Sequence, residues 1–128
     1  MVLQSLCNAN AATIVAGKVD DHVITLKKQD NEKTITVRCG DVIQIELERS
    51  SGTGYDWYLD DTYKSHFYLV KDDTEEVLKK GFVGTPVVRR WQFKAINQGE
   101  AEVAILLYRS WEGREKAVFS YKIHIKIL

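Results

Sequence analysis

From residue 22 to the end of the chain, apolar and polar residues alternate in short runs separated by turn formers. That is the period-two pattern of strands with one face in a core and the other in water. Residues 22–26 (HVITL) and 33–37 (KTITV) are the first two runs, joined by the polar stretch 29–32 (QDNE). In 41–48 (DVIQIELE), Val42 or Ile43 faces a core together with Ile45 and Leu47, while Gln44, Glu46 and Glu48 face water. The aligned carboxylates are therefore a solvent face rather than an acid/base pair. Further strands are predicted at 55–59, 67–70 and 87–95 and, after the turn Asn97-Gln98-Gly99, at 102–108. In the final run, 117–128, Phe119, Tyr121, Ile123, Ile125 and Ile127 alternate with Ser120, Lys122, His124 and Lys126. The charged stretch 72–80 reads as part of a long loop. About seven or eight short strands with almost no helix predict an all-β fold, an immunoglobulin-like antiparallel β-sandwich, because each apolar strand face needs a second sheet to cover it.

With 128 residues, 45% of them hydrophobic, the chain can build one domain around one core. That domain is expected at 22–128. Residues 1–21 read as an N-terminal tail with a short strand and a candidate leader remnant: Ala9-Asn10-Ala11 has the A-x-A form, but the basic and long apolar segments of a signal peptide are missing. The expected compartment is secreted or endolysosomal if the tail is such a remnant, and cytoplasmic otherwise. The 18 Lys and Arg balance 18 Asp and Glu in an interleaved, mixed-charge surface. This argues against nucleic acid or an anionic membrane as partner, both of which call for a local excess of basic residues. No apolar run approaches the roughly 20 residues of a membrane span.

Cys7 and Cys39 form no C-x-x-C and have no histidine pair nearby, so the usual spacings argue against zinc. The two could pair in an oxidising compartment, but with Cys7 in a tail outside the core, two free thiols are the expectation. His22, His66 and His124 lie on separate segments, each as a surface histidine, and Ser50 and Ser51 have no base beside them. Gly52 and Gly54 lack the lysine of a phosphate loop. No cofactor, metal or catalytic constellation is expected, and the chain reads as a binding protein rather than an enzyme.

Three loops hold residues out of place in ordinary turns: 50–57 (SSGTGYDW), 78–88 (LKKGFVGTPVV) and 108–113 (YRSWEG). In an immunoglobulin-like strand order these are the B–C, D–E and F–G connections, which fall at one end of the sandwich. Taken singly, Trp111 could cap the core and Gly81 and Gly84 could merely permit a bend; their convergence on one rim favours a binding surface.

In this order the loops resemble those of the chagasin-like inhibitors of papain-family cysteine proteases. That family carries Asn-Pro-Thr-Thr-Gly-Tyr/Phe with a Trp two residues on, then Gly-x-Gly-Gly, then Arg-Pro-Trp/Phe. The resemblance runs over about 22–128. Thr53, Gly54, Tyr55 and Trp57 match the first motif, and Ser50, Ser51 and Gly52 depart from it. Arg109 and Trp111 match the third, with Ser110 in place of proline. The second falls either on Gly84-Thr85-Pro86-Val87 or on Gly81-Phe82-Val83-Gly84.

The resemblance implies a reversible, tight-binding protein inhibitor, a monomer when free, whose three loops form a wedge in the active-site cleft of papain-like, cathepsin-type proteases. Ser51, Gly52, Thr53, Gly54 and Tyr55 would enter beside the catalytic thiolate. Gly81, Phe82, Val83, Gly84 and Thr85 would lie along the substrate groove through main-chain hydrogen bonds. Arg109, Ser110 and Trp111 would lie on the primed side against an aromatic surface. Trp57 would anchor the first loop in the core. Loss of the motif's Asn and Pro implies a first loop that is less preorganised. A carbohydrate-binding sandwich and an adhesion-type immunoglobulin-like module are the alternative classes.

Overall fold

The computed structural model describes residues 23–76 and 86–128. Eight strands lie within them: β1 (Val23–Leu26), β2 (Thr34–Val37), β3 (Val42–Ser50), β4 (Tyr55–Leu59), β5 (Phe67–Glu76), β6 (Pro86–Ala95), β7 (Gly99–Arg109) and β8 (Phe119–Ile127). They form two four-stranded sheets, ordered β1-β3-β6-β5 and β2-β8-β7-β4. Neighbours are antiparallel except for two edge pairs, β1 on β3 and β2 on β8, which are parallel. The first two strands thus join different sheets, each as an edge strand.

The alternation read from the sequence is the alternation of burial. Ile43, Ile45 and Leu47 of β3 and Trp91 and Phe93 of β6 meet Val103, Ile105, Tyr121 and Ile123 of the other sheet, all with no residual exposure. Ile43, not Val42, is the first inward residue of β3. Burial pushes the Tyr121 hydroxyl far above its ordinary pKa, so it stays protonated and donates to the Lys27 carbonyl at 2.9 Å. A 3₁₀ turn at Asp61–Ser65, which has no hydrophobic period, delivers Tyr63 edge-on to Phe93.

Two expectations are corrected. Within the stretch 72–80, residues up to Glu76 are strand and not loop: β5 passes a bulge between Leu69 and Lys71 and continues paired with β6, Glu76 opposite Val87. An edge strand can carry this charge because its partner supplies the counter-charge, Arg89 to Asp72 and Arg90 to Glu75. Residues 77–80 lie outside the described residues. Cys39 is disulfide-bonded and not a free thiol, with its partner outside the described residues. It sits in the β2–β3 turn, where its N–H donates to the Leu128 carbonyl at 3.0 Å. Spacing in sequence could not reveal that bond, because a disulfide depends on proximity in space.

The register brings the loop roots to the opposite end of the sandwich. Ser50 pairs with Pro86, Glu76 with Val87, and Tyr55 with Arg109. The 51–54 connection, Glu76, Pro86 and the start of the β7–β8 connection therefore share one rim. No helix among the described residues is long and apolar enough to cross a membrane.

Candidate functional site

The first loop turns on two glycines, Gly52 at φ +80° and Gly54 at φ +81°, in the left-handed region where a side chain is strained. Between them, the Thr53 hydroxyl donates to the Ser50 carbonyl and accepts from the Tyr55 N–H, both at 3.3 Å. The short side chain thus closes the loop on itself, a role open to any local hydroxyl or amide.

The third loop folds over the first. Glu112 and Gly113 N–H both donate to the Arg109 carbonyl, at 3.0 and 3.1 Å, turning the chain sharply after β7. The turn brings the Trp111 indole onto Gly54: a Cβ at Gly54 would stand 2.1 Å from the indole Cη2. Only glycine permits that approach. Trp111 nevertheless keeps 70% of its surface exposed, whereas Trp57, two residues beyond Tyr55, keeps 1%. The Trp57 Nε1 donates to the Glu48 carbonyl at 3.2 Å, and the ring meets Phe119 edge-on. One tryptophan roots the first loop in the core and the other stands out from the rim.

Arg109 connects the two loops. Its Nε donates to the Thr53 carbonyl at 3.0 Å, and its guanidinium carbon lies 4.4 Å from the Tyr55 ring centre and 5.8 Å from that of Trp111. Glu112 approaches its Nη1 at 3.4 Å. The contact follows from strand pairing, because Tyr55 and Arg109 are directly opposed across β4 and β7.

Below the rim, Asp56 receives Arg49 Nε at 3.0 Å and Arg89 Nη1 at 3.4 Å. Arg89 also holds Asp72 through two contacts of 3.1 Å and donates to the Trp57 carbonyl at 2.6 Å. Burial works against the Arg89 charge, but the Asp72 and Asp56 carboxylates outweigh it and raise its pKa above the ordinary value. This permanent cation, on β6 of one sheet, ties together the edge strands β5 and β4, one from each sheet. Residues 49 and 56 bracket the first loop, so the network fixes its root.

Ser51, Gly52, Thr53, Gly54, Tyr55, Arg109, Ser110 and Trp111 thus come together at one rim. Gly81, Phe82, Val83, Gly84 and Thr85 lie outside the described residues, flanked on that rim by Glu76 and Pro86. The sequence reading missed Arg49, Asp56 and Arg89. The only hint was that opposite charges bracket a glycine loop seven residues apart. No cluster of three or more His, Cys, Asp or Glu side chains able to hold a metal ion occurs among the described residues.

Comparison with known proteins bears on the family and the fold. The profile of the chagasin family peptidase inhibitor I42 matches residues 36–125. Amoebiasin-2 of Entamoeba histolytica is 29% identical over 113 residues, 86% of this chain and 83% of that protein. The crystal structure of the cysteine protease inhibitor EhICP2 from Entamoeba histolytica superposes with a TM-score of 0.76 at 24% identity, over 83% of this chain and 96% of that one. The solution structure of amebosin gives a TM-score of 0.62 at 21% identity, over 84% and 98% of the two chains. PbICP-C, solved in complex with falcipain-2, gives 0.54 at 16% identity, over 82% and 99%. At these identities the structural likenesses speak for the fold.

Proposed function

This chain belongs to the chagasin family of peptidase inhibitors and is an inhibitor of cysteine proteases, not an enzyme; from that premise we propose that it fills the active-site cleft of papain-like members with the rim just described. The observation that carries the assignment to this rim is the contact of Trp111 on Gly54. It joins a bare backbone blade to a large ring that remains mostly exposed.

Each half suits the task. A loop that must pass beside a catalytic thiolate has to be thin, and Gly52, Thr53 and Gly54 offer backbone and one small hydroxyl. The two positive φ angles turn the chain away from the extended path of a substrate. No peptide bond is then presented in the attack geometry that hydrolysis needs, which favours blocking over cleavage. Trp111 supplies affinity: a rigid ring already held in place by Gly54 and Arg109 buries a large area at little entropic cost. The root network of Arg49, Asp56 and Arg89 keeps the blade from being pushed aside. In this reading residues 81–85, which lie outside the described residues, supply the wedge's remaining contact with the protease.

Titration of papain with the purified chain tests the proposal. Activity should fall linearly to zero at one equivalent, recover on dilution over the dissociation time, and leave trypsin untouched. Undiminished papain activity at micromolar inhibitor overturns it.

A further inference from the structure

We infer that Arg109 is a positioning residue that holds the carbonyl of Thr53 inside the inhibitor, and so both orders the first loop and keeps the Thr53–Gly54 peptide bond from being cut. The inference rests on the cleft-blocking reading and goes beyond it by naming the group that prevents the blade from acting as a substrate.

The first loop has little internal support. Its own side-chain bonds are the two long contacts of Thr53 at 3.3 Å, and both flanking glycines are free to leave their present angles. Against this stands a shorter, charge-assisted bond from outside the loop, Arg109 Nε to the Thr53 carbonyl at 3.0 Å. The guanidinium is itself fixed, lying 4.4 Å from the Tyr55 ring centre and within reach of Glu112. An arginine held on its faces and one edge has few ways to move, so the carbonyl it grips has few as well.

That carbonyl matters because of what a cysteine protease would have to do with it. Hydrolysis requires the thiolate to add to the carbonyl carbon while the developing oxyanion is received by donors of the enzyme. The C–N bond to Gly54 then breaks, the Gly54 nitrogen leaving with a proton from the enzyme's acid and the Thr53 carbonyl carbon remaining as a thioester; water next adds its hydroxyl to that carbon, the C–S bond breaks to release the thiolate, and the water's proton restores the acid. A Thr53 oxygen already engaged by Arg109 is directed into the inhibitor's own third loop, not toward the enzyme. Releasing it would let the glycines relax toward an extended segment, the form in which a protease takes substrate. The motif's missing Asn and Pro are thus compensated from the neighbouring loop.

The test compares Arg109→Ala and Arg109→Lys with the parent chain. Lysine keeps the charge, so a mere electrostatic contact with a protease survives, but it lacks the Nε donor and the planar group. In the free proteins, backbone order parameters of Gly52, Thr53 and Gly54 should fall from the range of the flanking strands to below about 0.6 in both variants. Incubated with papain, both should lose inhibition by about 10-fold or more, the scale of one charge-assisted hydrogen bond, and yield fragments ending at Thr53 and beginning at Gly54. Unchanged loop order in the free variants overturns the inference whatever happens to inhibition. So does a loosened loop that is neither cut nor weaker in binding, or full rescue by lysine. If the parent chain itself does not inhibit papain, the cleft-blocking reading fails instead, and the order parameters still report on the clamp.

Discussion

Substituting Gly54 by alanine adds one methyl group where the structure has no room for it. Two costs add in the free protein. The φ of +81° places an L-residue in the left-handed region, worth about 1–2 kcal/mol. The new methyl would also stand 2.1 Å from the Trp111 ring, so the indole must swing away. Because Trp111 is already 70% exposed, the contact it gives up amounts to no more than about 1 kcal/mol. The free chain should therefore lose about 1–3 kcal/mol, a fall of roughly 3–10 °C in melting temperature for a domain of this size. The effect on binding should be larger than stability alone implies, since the blade widens and its neighbouring anchor is displaced together. A loss of about 2 kcal/mol, close to 30-fold in inhibition constant, is expected. Calorimetric melting and papain titration measure the two terms. Repeating both in a Trp111→Ala background isolates the contact, because the backbone strain remains and the clash does not; the coupling should be about 1 kcal/mol. A Gly54→Ala protein that melts and inhibits like the parent, or equal losses in the two backgrounds, would refute the reasoning.

Trp111→Ala alone should lower the melting temperature by no more than about 3 °C, since the ring is mostly in water, yet weaken papain inhibition by about 30-fold or more; a large melting loss with unchanged affinity would place the ring in the fold rather than the interface. Reduction of the Cys39 disulfide, which lies at the end of the sandwich away from the rim, should leave inhibition per folded molecule intact, as measured by papain titration with circular dichroism alongside. Stability should also depend on pH through Asp60, whose carboxyl Arg114 holds below its ordinary pKa through a 2.6 Å bond. A depressed carboxylate contributes its full stabilisation above the unfolded value near about 3.9 and loses it as pH falls through the folded value. Asp60→Asn should therefore flatten the melting curve below about pH 5, and an unchanged acid slope would contradict the assignment.

What the sequence disclosed and what it concealed divide along physical lines. The period-two burial of 119–127 and of 42–47 was legible because each residue's face follows from its neighbours along one strand. The rim was legible for a related reason, since alternate connections of a sandwich share an end. By contrast, Asp72 to Glu76 gave no apolar period, because an edge strand balanced by Arg89 and Arg90 does not need one. The turn at Asp61–Ser65 was hidden in the same way, as it buries a single side chain, Tyr63. The grip of Arg109 on Thr53 links residues 56 apart in sequence and exists only through the pairing of β4 with β7. The family resemblance suggested Trp111 as an anchor, but the reason Gly54 must be glycine became visible only with the indole standing over it. Cys39 carried no local sign of its disulfide.

The most direct test of cleft blocking is the catalytic thiol itself. Papain incubated with one equivalent of the chain and then exposed to a small thiol-alkylating reagent should be protected in proportion to the complex formed. Protection should be lost for Trp111→Ala at concentrations where that variant no longer binds. Alkylation of the thiol at the rate seen in free papain, under conditions where the complex is demonstrably formed, would contradict the account.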